Sequence, residues 1–228
     1  MLISAALLGG TAEVRADIVN GVDEPGHSPA PASPSPHVIT PPPGGTTLIN
    51  FDDRTAPCIF LATVPLTTEY SSLGVVFAGP SIGSGGAVLN ECGAFGVTSY
   101  SSPNFLAFNA TTFYSSGGVP AGPETLTFSN SVNYVQLNAG HTGGGTITLS
   151  CFNGNALLGQ SSILSGPAVS TLSVQASGIT RCTVDFTGQF LVIDDLAFGQ
   201  VAGVPALNAW MLTALAAALA LLALVRLK

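Results

Sequence analysis

The sequence predicts an all-β fold: an antiparallel β-sandwich, preceded by a disordered N-terminal linker and followed by one C-terminal transmembrane helix. Three observations carry this. Short runs alternate apolar and polar side chains, as in Thr125-Leu126-Thr127-Phe128-Ser129, and period-two alternation marks strands with one buried face. Gly contributes 27 and Pro 16 of the 228 residues, so turn formers punctuate the chain at short spacing. Charged residues are only 7% of the total, against roughly 25% in an ordinary soluble domain. Together these exclude a helical bundle, a coiled coil and a charge-rich cytosolic enzyme. Five Lys and Arg stand against twelve Asp and Glu, a formal charge of −7. The chain cannot build the basic footprint that nucleic acid requires.

The segments follow in order. Residues 1–16 read MLISAALLGGTAEVRA, a signal-peptide-like stretch with Ala16 at −1 and Val14 at −3 of a small-residue cleavage site. The basic n-region of a signal is missing, since Met1 leads straight into Leu2 and Ile3, so either the natural start lies further upstream or the stretch is not a signal. Residues 17–46 are dense in Pro, Ser and Ala, which favours an extended, semi-rigid spacer over a packed core. His27 and His37 lie in that spacer as solvated side chains.

Residues 47–200 form the folded unit. Strand-type runs are expected at 47–52, 58–64, 69–78, 86–90, 104–114, 125–129, 132–139, 145–153, 156–164, 169–177, 179–186 and 189–199. Many short runs with no helical stretch between them indicate a sandwich, and this length is ample for one core. Gly143-Gly144-Gly145 lacks the lysine of a phosphate loop and reads as a hairpin turn. No Gly-x-Ser-x-Gly occurs, so the nucleophile-elbow cue of a serine hydrolase is missing.

Residues 206–225 read ALNAWMLTALAAALALLALV. Twenty uncharged residues are the length of a bilayer-spanning helix. Arg226 and Lys228 follow at once. Basic flanks stay on the cytoplasmic side, so the C-terminus is expected to face inward and the β-domain outward. Pro205 stands where a helix can begin and Trp210 near the outer interface.

The cysteines are Cys58, Cys92, Cys151 and Cys182, with no CxxC spacing and no nearby His, which argues against zinc. An even number in an exported β-domain favours two disulfides. Three connectivities are open. Cys58–Cys92 with Cys151–Cys182 is preferred, because TITLSCF and ITRCTVDF read as antiparallel neighbours.

The chain's end carries a recognisable pattern. Val204-Pro205-Ala206-Leu207-Asn208-Ala209-Trp210, the apolar helix and the basic close resemble the C-terminal sorting signals of the PEP-CTERM class. The nearest pattern is the IPTL-CTERM variant, Ile-Pro-Thr-Leu-x-x-Trp-Gly. Pro205, Leu207 and Trp210 match by position, while Val204, Ala206 and Met211 replace Ile, Thr and Gly. The resemblance implies Gram-negative export, membrane anchoring with the C-terminus cytoplasmic, and cleavage near the motif by an exosortase-type protease. The mature protein would then reside on the envelope surface or in extracellular matrix. INFDD, EYSSLGVVF, SPNFLAFN and FLVIDDLAF resemble exported jelly-roll modules related to carbohydrate-binding and galactose-binding-like domains. That resemblance implies a jelly-roll-like sandwich.

Two acidic pairs stand out in so uncharged a chain, Asp52-Asp53 after the first strand and Asp194-Asp195 in the last. First and last strands of a jelly roll lie close, and carboxylates brought together repel unless a cation such as Ca²⁺ joins them. The jelly-roll resemblance likewise implies a structural Ca²⁺ on such a terminal Asp-Asp strand. In alternation only one of each pair can face a given side. The bland reading is turn acids bonded to local amides. The same pairs can be read as glycosidase carboxylates. Sugar stacking would fall to Tyr100, Phe113, Tyr114 or Tyr134, with Asn104 and Asn109 bonding hydroxyls. The function expected is non-enzymatic: an exported envelope or matrix protein. The alternatives are a carbohydrate-binding module with a specific glycan and a polysaccharide hydrolase.

Overall fold

The computed structural model describes residues 45–201 apart from 91 and 93–95. The signal-like segment 1–16, nearly all of the 17–46 spacer, and the whole sorting tail lie outside the described residues. So, therefore, do Val204, Pro205, Leu207, Trp210, Arg226 and Lys228. No helix among the described residues is long and apolar enough to cross a membrane.

The described part is all-β. Nine strands run β1 (Thr46–Ile49), β2 (Val75–Ala78), β3 (Ala87–Asn90), β4 (Asn104–Asn109), β5 (Glu124–Gly140), β6 (Thr146–Asn153), β7 (Ala156–Leu164), β8 (Ser170–Phe186) and β9 (Phe190–Gly199). Every pair of named strands is antiparallel. The path is β3-β4-β9-β5-β8-β6-β7, with β1 joined to β9 and β2 to β5.

β5 and β8 organise this path. Each is 17 residues long, where the sequence predicts two shorter strands. Asn130-Ser131 and Gly178 sit where those predicted breaks fall. The chain bends there instead of turning back: the β5–β8 register shifts between Thr127 and Val132 and again before Tyr134. Bulges of this kind bend and twist a strand without ending it. The early half of β5 and the late half of β8 therefore belong to a layer with β2, β6 and β7. The other halves belong to a layer with β9, β4, β3 and β1.

The main core lies between the layers. Leu126, Ile147, Leu149, Cys182 and Val184 from one meet Leu137, Leu172, Ile193, Leu196 and Phe198 from the other. A second core lies on the outer face of β3, β4 and β9. Ala87, Leu89, Phe105, Ala107 and Val192 pack there under Phe60, Tyr100 and Tyr114. All six residues of β4 are consequently buried, and so are nine of the ten in β9. Burial on both faces explains why NFLAFN and FLVIDDLAFG read as continuous apolar runs without alternation.

The predicted strand at 58–64 is not one. Ile59–Thr63 forms a short 3-10 turn that drops Phe60 into the second core. The segment is tied to the β3 edge at its ends, where Asn90 N–H donates to Pro57 O and Leu66 N–H to Gly86 O. Pro57 and Pro65 have no N–H to continue a ladder. Both preferred disulfides form. Cys58–Cys92 staples this cover segment beyond β3, with a Cα separation of 5.4 Å. Cys151 and Cys182 are direct register partners on β6 and β8, with Cα atoms 4.1 Å apart.

Candidate functional site

The two acidic pairs are positioned by the ends of β1 and β4 on one edge of β9. β4 pairs with Phe190–Ile193 and β1 with Leu196–Gly199. Asp194 and Asp195 occupy the gap between them. Opposite, the β5–β9 register slips between Gln136 and Asn138, and Asp195 takes φ 53°. This bulge overturns the expectation that only one acid of the pair faces inward: Asp194 is 0% and Asp195 4% exposed. The Asp194 carboxylate accepts the Ser101 N–H at 2.5 Å, the Ser101 hydroxyl at 2.7 Å and the Asp195 N–H at 2.8 Å. Asp195 shares the Ser101 hydroxyl at 3.1 Å and accepts the Asn138 side-chain amide at 3.3 Å. Burial, reinforced by the charge of Asp195, pushes the Asp194 carboxyl up to about 8. The Ser101 donors counter this only in part.

The first pair is arranged differently. Asp52 accepts the Asn104 N–H and the Asn50 side-chain amide, both at 2.9 Å, and burial moves its carboxyl upward. Asp53 is exposed and accepts the Tyr70 hydroxyl at 2.6 Å. Each of the four carboxylates is thus met by N–H or O–H donors. Among the described residues no three His, Cys, Asp or Glu side chains converge as metal ligands.

The predicted sugar-contact residues fare unevenly. Tyr100 and Tyr114 are core residues, 1% and 2% exposed. Tyr100 packs edge-on against Phe105, and the Tyr114 hydroxyl donates to Gly85 O at 2.9 Å. Asn104 is buried and donates to Phe51 O and Arg54 O, closing the turn after β1. Asn109 is buried and caps its own turn by accepting from Thr111. Tyr114, Asn104 and Asn109 thus hold backbone, and Tyr100 fills the second core. Tyr134 is half-buried and bonds Gln136. Phe113 alone of the named aromatics is well exposed, at 62%.

Two features went unsingled in the sequence. Glu124 opens β5 with no exposed surface. One carboxylate oxygen accepts the Gly86 N–H at 2.9 Å, and the other has no hydrogen-bond partner among the described residues. Burial pushes this carboxyl up to about 8.

The second is an open groove of about 680 Å³ between the segment at Val64–Glu69 and the turn that follows β2. Its floor is Phe77, held by the Phe77 N–H bond to Thr67 O. Val64 and the fully exposed Ile82 form apolar walls. Thr67, Glu69, Ser81 and Ser84 supply the polar lining. Glu69 accepts both the N–H and the hydroxyl of Thr67, and the Ser81 and Ser84 hydroxyls bond each other at 2.6 Å. The turn closes so tightly that a Cβ on Gly79 would stand 2.3 Å from the Ser84 backbone. A smaller recess of about 80 Å³ shares Val64 and Glu69 and extends the groove to Arg54, Thr55 and Thr63. The sequence signal for it was the lone apolar Ile82 inside the Ser/Gly turn PSIGSGG.

No family model and no curated protein matches the chain. Among solved structures, the catalytic domain of a GH87 alpha-1,3-glucanase, in complex with tetrasaccharides, is 12% identical with a TM-score of 0.34. The match covers 74% of this chain and 31% of that one. A family 6 carbohydrate-binding module is 14% identical with a TM-score of 0.28, covering 67% of this chain and 92% of that one. A glycoside hydrolase family 43 arabinoxylan arabinofuranohydrolase from Bacillus subtilis is 14% identical with a TM-score of 0.22, covering 51% and 28%. The chain therefore spans under a third of the two hydrolase chains.

Proposed function

We propose that this chain is an exported, non-enzymatic β-sandwich of the cell envelope or extracellular matrix, and that it grips neutral polysaccharide in the groove beside β2. The groove itself carries the reading. Its volume of about 680 Å³ is in the range of small-ligand sites, which combine an apolar floor with a few convergent polar groups. Val64 and Ile82 offer surface to the C–H face of a sugar ring. Thr67, Ser81, Ser84 and the Glu69 carboxylate offer the donors and acceptors that hydroxyls need. Two disulfides agree with an oxidising compartment. The sorting-signal resemblance of the tail supplies delivery, through an inner-membrane intermediate processed by an exosortase-type protease.

Affinity electrophoresis of the full chain through gels containing soluble neutral polysaccharides tests the binding. Retardation by at least one polymer, weakened about tenfold by Thr67→Ala with Ile82→Ser, is the expected result. Equal mobility in every gel, or retardation untouched by the groove changes, overturns it. Intact mass in the native host tests delivery. A species ending near Leu207 in matrix or medium is expected, whereas Lys228 retained on membrane-bound protein alone means a simple anchor.

A further inference from the structure

We infer that the open side of the sandwich, formed by β7 and the first half of β8, is a self-association edge at which two copies of the chain pair strand to strand. The inference uses none of the groove residues and stands apart from the polysaccharide reading.

The starting observation is which strand edges the chain closes for itself. β2 is bonded on its outer side by the segment before it, through Phe77 N–H to Thr67 O. β3 is covered by residues 57–66, through Asn90 N–H to Pro57 O and Leu66 N–H to Gly86 O. β1 pairs with β9 alone among the named strands, but it is only four residues long, a short edge of the kind proteins tolerate. β7 is treated otherwise. It ends the strand order and, among the described residues, pairs with β6 alone. The first half of β8 pairs with β5 through Ser170–Gln175, while β6 reaches β8 only from Arg181 to Phe186. Both strands therefore present backbone N–H and C=O groups on the same side of the sandwich, where Gly159 of β7 approaches Val174 of β8.

Proteins blunt such edges with charge, proline or a cover. Among the described residues, this edge has none of them. Residues 142–180 contain no Asp, Glu, Lys, Arg or His, and β7 itself reads ALLGQSSIL without a proline. Its one irregularity is the shift opposite Cys151 and Phe152, which leaves Gly159–Leu164 as a regular ladder. Leu164 and Leu157 stand 84% and 56% exposed on it.

Charge selects the occupant. The acids that reach solvent, Asp53, Glu69 and Asp185, lie elsewhere on the domain, whereas this stretch brings no charge of either sign. An oppositely charged partner finds nothing to hold here. A second copy offers the same uncharged edge, and antiparallel pairing about a two-fold axis is self-complementary and closes at two. Strand pairing over this length makes a small interface, the class that gives transient association, so the expected dimer forms and dissolves with concentration.

The test is sedimentation equilibrium of the full chain in density-matched non-ionic detergent, across a micromolar concentration series. A monomer–dimer equilibrium is expected in which Ser162→Lys with Leu164→Lys weakens dimerisation by at least about tenfold, because four like charges meet at the two-fold. Leu61→Lys, 59% exposed on the segment that covers β3, should leave it unchanged. Hydrogen exchange of the unmodified chain reads the same point without a variant: amides in 156–164 should gain protection as concentration rises. A chain monomeric throughout, a dimer indifferent to the β7 lysines, or β7 amides exchanging equally at all concentrations each overturns the inference.

Discussion

Glu124→Gln is the perturbation whose effect the structure fixes most closely. The Glu124 carboxyl has no exposed surface, and its position at about 8 reflects burial opposed only by the Gly86 N–H. Its ordinary value is 4.5. Between these two pH values the folded chain holds a proton that the unfolded chain has released. Stability therefore falls as pH rises from about 4.5, and the loss is complete above about 8. The difference between the two positions corresponds to roughly 4–5 kcal/mol at full ionisation, a large share of a domain's typical stability. Glutamine keeps the Gly86 bond through its carbonyl and never ionises. Its amide nitrogen replaces the carboxylate oxygen that has no partner, and an unsatisfied buried donor costs about 1–3 kcal/mol. The two effects oppose, and their balance changes with pH. Near pH 5, where protonated Glu124 buries an unpartnered O–H of its own, the variant should be the less stable by only about 1 kcal/mol, and near pH 8.5 the more stable by about 3–4 kcal/mol. Urea unfolding of both chains by far-ultraviolet circular dichroism measures this directly. Asp194, whose carboxyl is also pushed up to about 8, slopes both curves alike and drops out of the difference. Parallel curves that never cross would refute the reasoning, because they would mean that Glu124 ionises with ready access to water.

Four further outcomes follow from the same contacts. Closing the Cys151–Cys182 loop, a separation of 31 residues, is worth about 3.5–4 kcal/mol in the chain-entropy model. Both cysteines are fully buried while Cys58 and Cys92 are partly exposed, so mild reductant followed by alkylation and intact mass should label Cys58 and Cys92 first, and Cys151 and Cys182 only in denaturant. Ser101→Ala removes the hydroxyl that Asp194 and Asp195 share and should cost about 2–3 kcal/mol. A chelator in the same melting assay tests whether these acids hold Ca²⁺: a fall of several degrees supports it, and no shift at neutral pH removes it. His141 accepts the Gly143 N–H at its Nδ1, 2.8 Å away, and burial lowers its pKa. Its contribution is present above about pH 6.5 and is lost as pH falls toward the lowered folded value, so His141→Gln should flatten the acid limb of the stability profile.

How much of this was legible depended on the range of the interaction. β7 was read at its full bounds from 156–164 because it is an edge strand whose pattern is local. β9 was read nearly as well from 189–199. The long strands β5 and β8 were each split, since Asn130-Ser131 and Gly178 are turn residues in isolation and only pairing across the whole strand makes them bends. The disulfides were found because Cys151 and Cys182 stand in runs that pair in register. Cys58 was found with them, but its run was misread: CIFLATV is apolar because Phe60 plugs a second core, which no periodicity announces. Tyr100 and Tyr114 were misplaced for the same reason, as a core over the outer face of β4 exists only once the loops fold back. The buried pair Asp194-Asp195 was located, but the bulge that turns both inward requires the β5 register. Glu124 carried no local signal at all.

Where the acids go changes what the composition means. The described residues hold seven Asp and Glu, and three of them, Glu124, Asp194 and Asp195, are buried. Two of these, Glu124 and Asp194, are pushed up to about 8 and so carry a proton at neutral pH. What reaches solvent is Asp53, Glu69, Asp185 and part of Asp52, with Arg54 and Arg181 against them. The described surface is thus closer to neutral than the formal −5 that these seven acids and two arginines would carry. Net charge is what keeps most proteins apart in solution, and near-neutral surfaces associate. A surface of hydroxyls and amides with so little charge suits contact with hydrated neutral polymer at the groove and with a like surface at β7. Raising the pH past about 8 ionises Glu124 and Asp194, so alkaline conditions should weaken the self-association through the domain's charge and its stability together. Glu124→Gln should remove part of that sensitivity while leaving β7 untouched. A dimer whose pH dependence is the same in both chains would separate the edge contact from the buried acids, and would assign the alkaline response to Asp194 or to acids outside the described residues.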